Sequence, residues 1–322
     1  MIYRRLLLAG GILLPLVALG WLMRVAASWR PVAMGKAPQG VSELSELHAL
    51  SDRVCVSYTA KNSRGYGWFD VSHGQMHKSP PIPRRIGTDG VFSWVLWLGE
   101  KLEVTDGQGM SHSFTEAPID YAEYEKRGEI SVRVLPQQNR VLLLARERIY
   151  DLNFATGHLN RVTKIEAHLP QALSRDGQTF TALASAPRGL GFIIGDTRSG
   201  KILRRIPLRT TPSLEYDYMS CYGHYALFDQ PNSTMKVVDT ATGKALWSFP
   251  LASLWSGNWI LDSQEKNIFI LRGKEWQMCD LKTGKLLRRL PVVPGTTDAA
   301  ISPDGATLYS VAKDVLYRQR AR

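Results

Sequence analysis

The chain has 322 residues, 44% of them hydrophobic, and carries 40 Lys and Arg against 29 Asp and Glu. That apolar fraction can fill a core, and a single all-β unit can absorb most of this length. Five of the basic residues (Arg4, Arg5, Arg24, Arg30 and Lys36) precede the first acidic one, Glu43, and the remaining 35 to 29 balance argues against a nucleic-acid binder, which needs a clustered basic face.

Leu6 to Met23 is apolar and uncharged. Eighteen residues at helical rise span about 27 Å, against a bilayer core of about 30 Å. Tyr3 and Trp21 bracket the run as interfacial aromatics do, and Arg24 closes it. The same segment also reads as a signal peptide, with Ala18 and Gly20 small before a cut at Trp21 and Pro15 breaking the helix upstream. Residues 1–27 are therefore expected to be a membrane anchor or a signal peptide, with the following domain outside the cytoplasm. Residues 28–42, with Pro31, Gly35, Pro38 and Gly40, read as a linker.

One pattern then recurs: an apolar strand, an Asp, a short polar turn ending in Gly, and another strand. It appears at Asp196-Thr-Arg-Ser-Gly200, Asp239-Thr-Ala-Thr-Gly243 and Asp280-Leu-Lys-Thr-Gly284, more loosely at Asp70 to Gly74 and Asp106 to Gly109, and with two extra residues at Asp151 to Gly157. An Asp can accept backbone N–H bonds from the residues just ahead of it, and Gly supplies the positive φ that ends a tight hairpin loop. Four-stranded propeller blades repeat at about 40 to 45 residues, the spacing seen here. A second element, Ser174-Arg-Asp-Gly177, recurs as Ser302-Pro-Asp-Gly305 and reads as the hairpin of an innermost strand. Together they predict an all-β, seven-bladed propeller over residues 43–322. The last unit holds only three strands, so residues 31–42 are expected to supply its missing outer strand.

Asp239-Thr-Ala-Thr-Gly243-Lys-Ala-Leu-Trp247 resembles the repeat of quinoprotein (PQQ-dependent) propellers, and Ser302-Pro-Asp-Gly305 resembles the hairpin of WD-type and YVTN-type repeat proteins. The resemblance implies the fold. It does not imply quinone chemistry, because the chain lacks the adjacent cysteines of that family and no calcium-binding set can be located. Arg204 and Arg288 stand where Trp247 stands in its own repeat.

No nucleophile elbow, zinc-protease motif or paired carboxylates can be placed. Gly195 to Lys201 approaches phosphate-loop spacing but lacks the following Ser or Thr and coincides with a repeat turn. Asp70, His73 and His77 read as turn residues rather than a metal site. No metal or cofactor is expected. Cys55, Cys221 and Cys279 read as small buried hydrophobes, and export would leave one disulfide open without fixing its pair. The connections from one blade's outer strand to the next blade's inner strand share a face. They bring Arg84, Arg85, Tyr121, Tyr124, Tyr216 and Tyr218, with Tyr66 in a loop on the same side, to one Tyr- and Arg-rich surface. That surface suggests a non-enzymatic scaffold contacting a protein or a cell-envelope component. The alternative is a propeller enzyme (lactonase, lyase or degenerate quinoprotein), with His168, Asp217, Asp262 and Asp298 as the residues near the inner strands. The basic strands Lys201 to Pro207 and Lys285 to Pro291 read as charged outer edges that block edge-to-edge pairing, the alternative being contact with anionic lipid or polymer.

Overall fold

The computed structural model describes residues 30–61, 63–78, 85–88, 93–96, 102–105, 110–115, 130–145, 147–165, 169–174, 176–186, 189–207, 219–222, 225–230, 234–239, 242, 244–250, 259–262 and 265–321. Among them the strands form antiparallel sheets of four, seven in number, and the one helical element is a 3-10 turn at Pro136–Gln138.

Blade 1 holds β2 (Val41–Ala49), β3 (Arg53–Ala60), β4 (Ser63–Asp70) and β5 (Met76–Lys78). Blade 2 holds β6 (Arg85–Thr88), β7 (Ser93–Leu96), β8 (Leu102–Thr105) and β9 (Ser111–Phe114). Blade 3 holds β10 (Ile130–Leu135), β11 (Arg140–Ala145), β12 (Arg148–Asn153) and β13 (Leu159–Lys164). Blade 4 holds β14 (Leu169–Leu173), β15 (Thr179–Ala186), β16 (Gly189–Asp196) and β17 (Ile202–Pro207). Blade 5 holds β18 (Met219–Tyr222), β19 (Tyr225–Gln230), β20 (Thr234–Asp239) and β21 (Ala245–Pro250). Blade 6 holds β22 (Trp259–Leu261), β23 (Asn267–Arg272), β24 (Glu275–Asp280) and β25 (Leu286–Pro291). Blade 7 combines β26 (Thr296–Ile301), β27 (Thr307–Ala312) and β28 (Val315–Arg320) with β1 (Val32–Lys36) from the other end of the chain. β1 lies antiparallel to β28, with Val32 opposite Arg318 and Lys36 opposite Val315.

First strands of successive blades adjoin: β26 lies beside β2, β2 beside β6, β10 beside β14, β14 beside β18, and β22 beside β26. These strands line the axis, and the ring closes between blades 7 and 1. The molecule is an all-β propeller, as its repeats led one to expect.

Strand periodicity explains how the blades stack. Successive side chains of a strand point to opposite faces, and a blade has a neighbour on each. In β11, Val141 and Leu143 pack with Leu102, Val104 and Phe114 of blade 2. Leu142 and Leu144, between them, pack with Leu173, Phe180 and Ile193 of blade 4. The same split occurs in β23, where Ile268 and Ile270 face blade 5 and Phe269 faces blade 7. A middle strand therefore reads as an unbroken apolar run because both its faces are buried.

Tyr66 departs from its expected place. It sits within β4, opposite Ser57 of β3, and is half-buried, so it does not belong to a loop. The β3–β4 hairpin turns instead at Lys61, whose φ is +45°. No helix among the described residues is long and apolar enough to cross a membrane, and the expected anchor or signal segment, residues 1–27, lies outside the described residues.

Candidate functional site

The two faces of the ring are built differently. Turns joining the first strand to the second, and the third to the fourth, share one face. Turns joining the second to the third, and the connections between blades, share the other.

The first face is made by the repeat turns. In blade 6, Thr283 donates its N–H and its hydroxyl to Asp280 Oδ1 at 2.7 and 2.6 Å. Gly284 N–H donates to the Asp280 carbonyl at 2.8 Å, and Gly284 takes a φ of +70°. Asp196 is held the same way by Ser199, at 2.7 and 2.6 Å, and these bonds keep its carboxyl below the usual range. Asp70 accepts from Ser72 and His73 and is likewise lowered, chiefly by the Ser72 hydroxyl. Asp239 accepts from Thr242 N–H at 2.8 Å. Asp106 and Gly243 lie outside the described residues.

Blade 3 corrects the expected pattern. Its turn residue is Asn153, not Asp151: Asn153 Oδ1 accepts from Ala155 and Thr156, and Gly157 N–H donates to the Asn153 carbonyl at 2.9 Å. The turn therefore has no extra residues. Asp151 sits two places earlier in β12, buried, and pairs with Arg140 at 3.0 Å and Arg161 at 3.3 Å.

A second set of bonds locks this face. In five blades the residue after the third strand donates its N–H to the hairpin between the first two strands of the same blade. The bonds run from Val71 to the carbonyl of Asp52, Phe154 to Asn139, Thr197 to Gln178, Leu281 to Lys266 and Ala321 to Ala306, all within 3.1 Å. Ser174 and Ser302 close their hairpins alike, each bonding an Asp two residues on and accepting a backbone N–H five residues on. Asp262 takes the place of that serine in blade 6, accepting from Lys266 N–H at 2.8 Å and from Asn267 Nδ2 at 2.7 Å. It is a hairpin residue.

Asp298 is the other inner-strand carboxylate in view. It accepts from its own neighbour Ala299 at 2.7 Å and from Leu47 of blade 1 at 2.9 Å. A bulge in β2, where Glu46 has φ +51°, aims the Leu47 N–H at it. Burial pushes the Asp298 carboxyl up against those bonds, with the nearby Glu46 charge adding to the rise. Asp298 thus ties blade 7 to blade 1. His168 and Asp217 lie outside the described residues.

Among the described residues the histidines do not converge. His77 stacks on Trp68 with ring centroids 5.6 Å apart, and His73 bonds within its own turn to Ser72 at 2.7 Å. Among the described residues no three His, Cys, Asp or Glu side chains are grouped to hold a metal ion. Cys55 and Cys279 are buried thiols without a disulfide partner, and burial raises the Cys279 pKa. Cys221 lies in β18, and its side chain is outside the described residues.

The second face receives the connections between blades. The described parts are short and bonded across neighbouring turns, as where Ala37 N–H donates to the Asp314 carbonyl at 2.7 Å and Val292 N–H to the Lys274 carbonyl at 3.1 Å. The longer connections run between β9 and β10, β17 and β18, and β21 and β22. By position Tyr121 and Tyr124 fall in the first, and Tyr216 and Tyr218 in the second. These four and Arg84 lie outside the described residues; Arg85 begins β6, with its side chain not described.

The sequence matches no protein family and no curated protein. The fold matches solved structures widely. A chain of a mitotic checkpoint complex crystal structure aligns with a TM-score of 0.57 at 13% identity, covering 91% of this chain and 91% of that one. A chain of Kuenenia stuttgartiensis hydrazine synthase aligns with a TM-score of 0.57 at 15% identity, covering 87% of this chain and 96% of that one. At such identity the likeness is one of scaffold, and a scaffold hosts unrelated activities.

Proposed function

We propose that the chain is a binding propeller tethered to a membrane outside the cytoplasm, and that it meets a protein or cell-envelope partner through the face opposite the aspartate turns. The observation that carries this reading is the asymmetry of the two faces. One is occupied by five-residue turns whose polar groups bond one another. The other receives every outer-to-inner connection, and the long ones carry Tyr121, Tyr124, Tyr216 and Tyr218 beside Lys126 and Arg127. Tyr and Arg dominate the energetics of protein interfaces. Assembly with other proteins fits the company in which the scaffold occurs, since one of the similar chains comes from a mitotic checkpoint complex. The N-terminal apolar run supplies the tether, and the quinoprotein-like repeat at Asp239 to Trp247 serves blade packing.

The test is site-specific photo-cross-linking in cells that express the full chain. A cross-linker at Tyr124 or Tyr216 should give discrete adducts, and one at Ser72 on the turn face should give none. Adducts from Ser72 alone would place the partner on the wrong face. A reporter fused after Arg322 that works only in the cytoplasm would overturn the extracytoplasmic placement.

A further inference from the structure

Resting on the tethered reading, we propose that the rim of blades 4 to 6 on the aspartate-turn face lies against an anionic bilayer surface. The tether joins the ring on that side. Val32 pairs with Arg318 near the end of β28, whereas Lys36 pairs with Val315, just after the Lys313–Asp314 hairpin of the opposite face. The chain therefore enters β1 from the aspartate-turn side, at the outer edge of blade 7. From Met23 to Val32 a fully extended chain reaches only about 30 Å. An embedded apolar run thus holds this side of the ring close to the lipid.

That side presents cations and exposed leucines. Lys201, Lys244 and Lys285 each follow a repeat turn in blades 4, 5 and 6, and all are exposed, as are Arg198 and Lys282 within the turns. Arg204 and Arg205 extend the same stripe along β17. Leu203, Leu286 and Leu287 stand among these cations at 61%, 40% and 46% exposure, on outer strands where large apolar residues have nothing to bury against. The carboxylates of the stripe, Asp196, Asp239 and Asp280, face backbone N–H groups of their own turns. Elsewhere on the face Arg53 pairs with Asp52 and Arg140 with Asp151.

Leucines between lysines and arginines suit the interfacial zone of a bilayer. The apolar side chains enter below the headgroups while the cations reach the phosphates. A soluble polyanion would use the cations but leave the leucines in water.

The experiment uses the full chain reconstituted into phosphatidylcholine vesicles with and without phosphatidylglycerol. An environment-sensitive fluorophore is placed at Leu287→Cys on the rim or at Lys313→Cys on the opposite face, with the wild-type chain as the background control. The rim label should shift to the blue in phosphatidylglycerol vesicles, and salt should reverse the shift. Each cation removed should weaken the association about fivefold, so K201Q/K282Q/K285Q should weaken it about a hundredfold. A shift at Lys313→Cys with none at Leu287→Cys, or equal rim shifts in neutral and anionic lipid, overturns the proposal. If the chain fails to float with neutral vesicles, the tether itself is wrong. The rim is then judged by flotation with phosphatidylglycerol vesicles, where salt-sensitive binding lost in the triple variant supports it and absence of binding overturns it.

Discussion

Trp247 donates its indole N–H to the Leu281 carbonyl at 2.7 Å, reaching from the outer strand of blade 5 into the repeat turn of blade 6. One blade further, Arg288 does the same to Ala321, at 3.0 Å. The two acceptors are equivalent: each belongs to the residue that locks the turn to its own blade. Trp and Arg are thus alternative donors for one inter-blade bond, and Arg161, in the corresponding place of blade 3, lies near enough to Asp196 of blade 4 to lower its pKa.

That equivalence can be tested by exchange. Arg288→Trp should keep the melting temperature, because it restores an N–H donor and removes a guanidinium that burial and the nearby Arg320 both make less comfortable. Arg288→Ala should lose about 1 to 2 kcal/mol, as should Trp247→Ala. Urea unfolding of the three variants decides it; an Arg288→Trp chain as weak as Arg288→Ala would show that the donor is irrelevant.

Gly284 is constrained twice. Its φ of +70° disfavours any side chain, and a Cβ there would meet the Trp247 ring at 2.6 Å. Gly295, with φ +78°, has no atom within 4 Å of the same point. Gly284→Ala should therefore cost about 2 kcal/mol more than Gly295→Ala, which bears only the backbone penalty of about 1 kcal/mol. Thermal melts of the pair separate packing from backbone strain.

Ring closure predicts a cooperative loss. A Cβ on Gly35 of β1 would collide with the Gly74 carbonyl of blade 1 and touch Phe69 at 3.0 Å. Gly35→Val should push β1 away from blade 1, lower the melting temperature, and expose the edge of β28 to aggregation. Deleting residues 31–40 should do the same more severely. A deletion chain that melts like the parent would mean that β1 contributes no closure.

Acid should act on two aspartates with opposite signs. Asp196 is lowered, so its contribution is full above the ordinary value of 3.8 and is lost as pH falls through its folded value. Ser199→Ala should flatten that loss. Asp298 is raised above 3.8, so its ionisation destabilises the fold progressively as pH rises through its folded value. Asp298→Asn should gain stability relative to the parent at neutral pH and not in acid. Melting temperatures across that range give both comparisons.

The turns were legible in sequence because their geometry demands particular atoms: a carboxylate at the first place and a residue tolerant of positive φ at the fifth. Where another residue supplies the same atom the signal blurs. Asn153 offers an equivalent amide oxygen, and Asp151 nearby looked like the better match although it serves Arg140 and Arg161. The Trp247 and Arg288 bond was hidden for a related reason, since a backbone carbonyl accepts from any well-placed N–H. Tyr66 was misassigned because an alternating Ser-Arg-Gly-Tyr-Gly stretch carries loop residues yet pairs fully as a strand opposite β3. The residues proposed to meet a partner lie in long connections whose composition, unlike that of the turns, no hydrogen-bond geometry dictates.

The pairing of β1 with β28 also sets a schedule. The strand made first must wait for the strand made last, and at typical rates of synthesis that interval is about 15 to 60 s. Throughout it β1 has no strand to pair with, and blade 1 lacks the neighbour that covers Leu44 and Phe69. Folding of the ring is therefore finished only once β28 has been made, and a truncation that removes β28 leaves blade 1 as incomplete as blade 7.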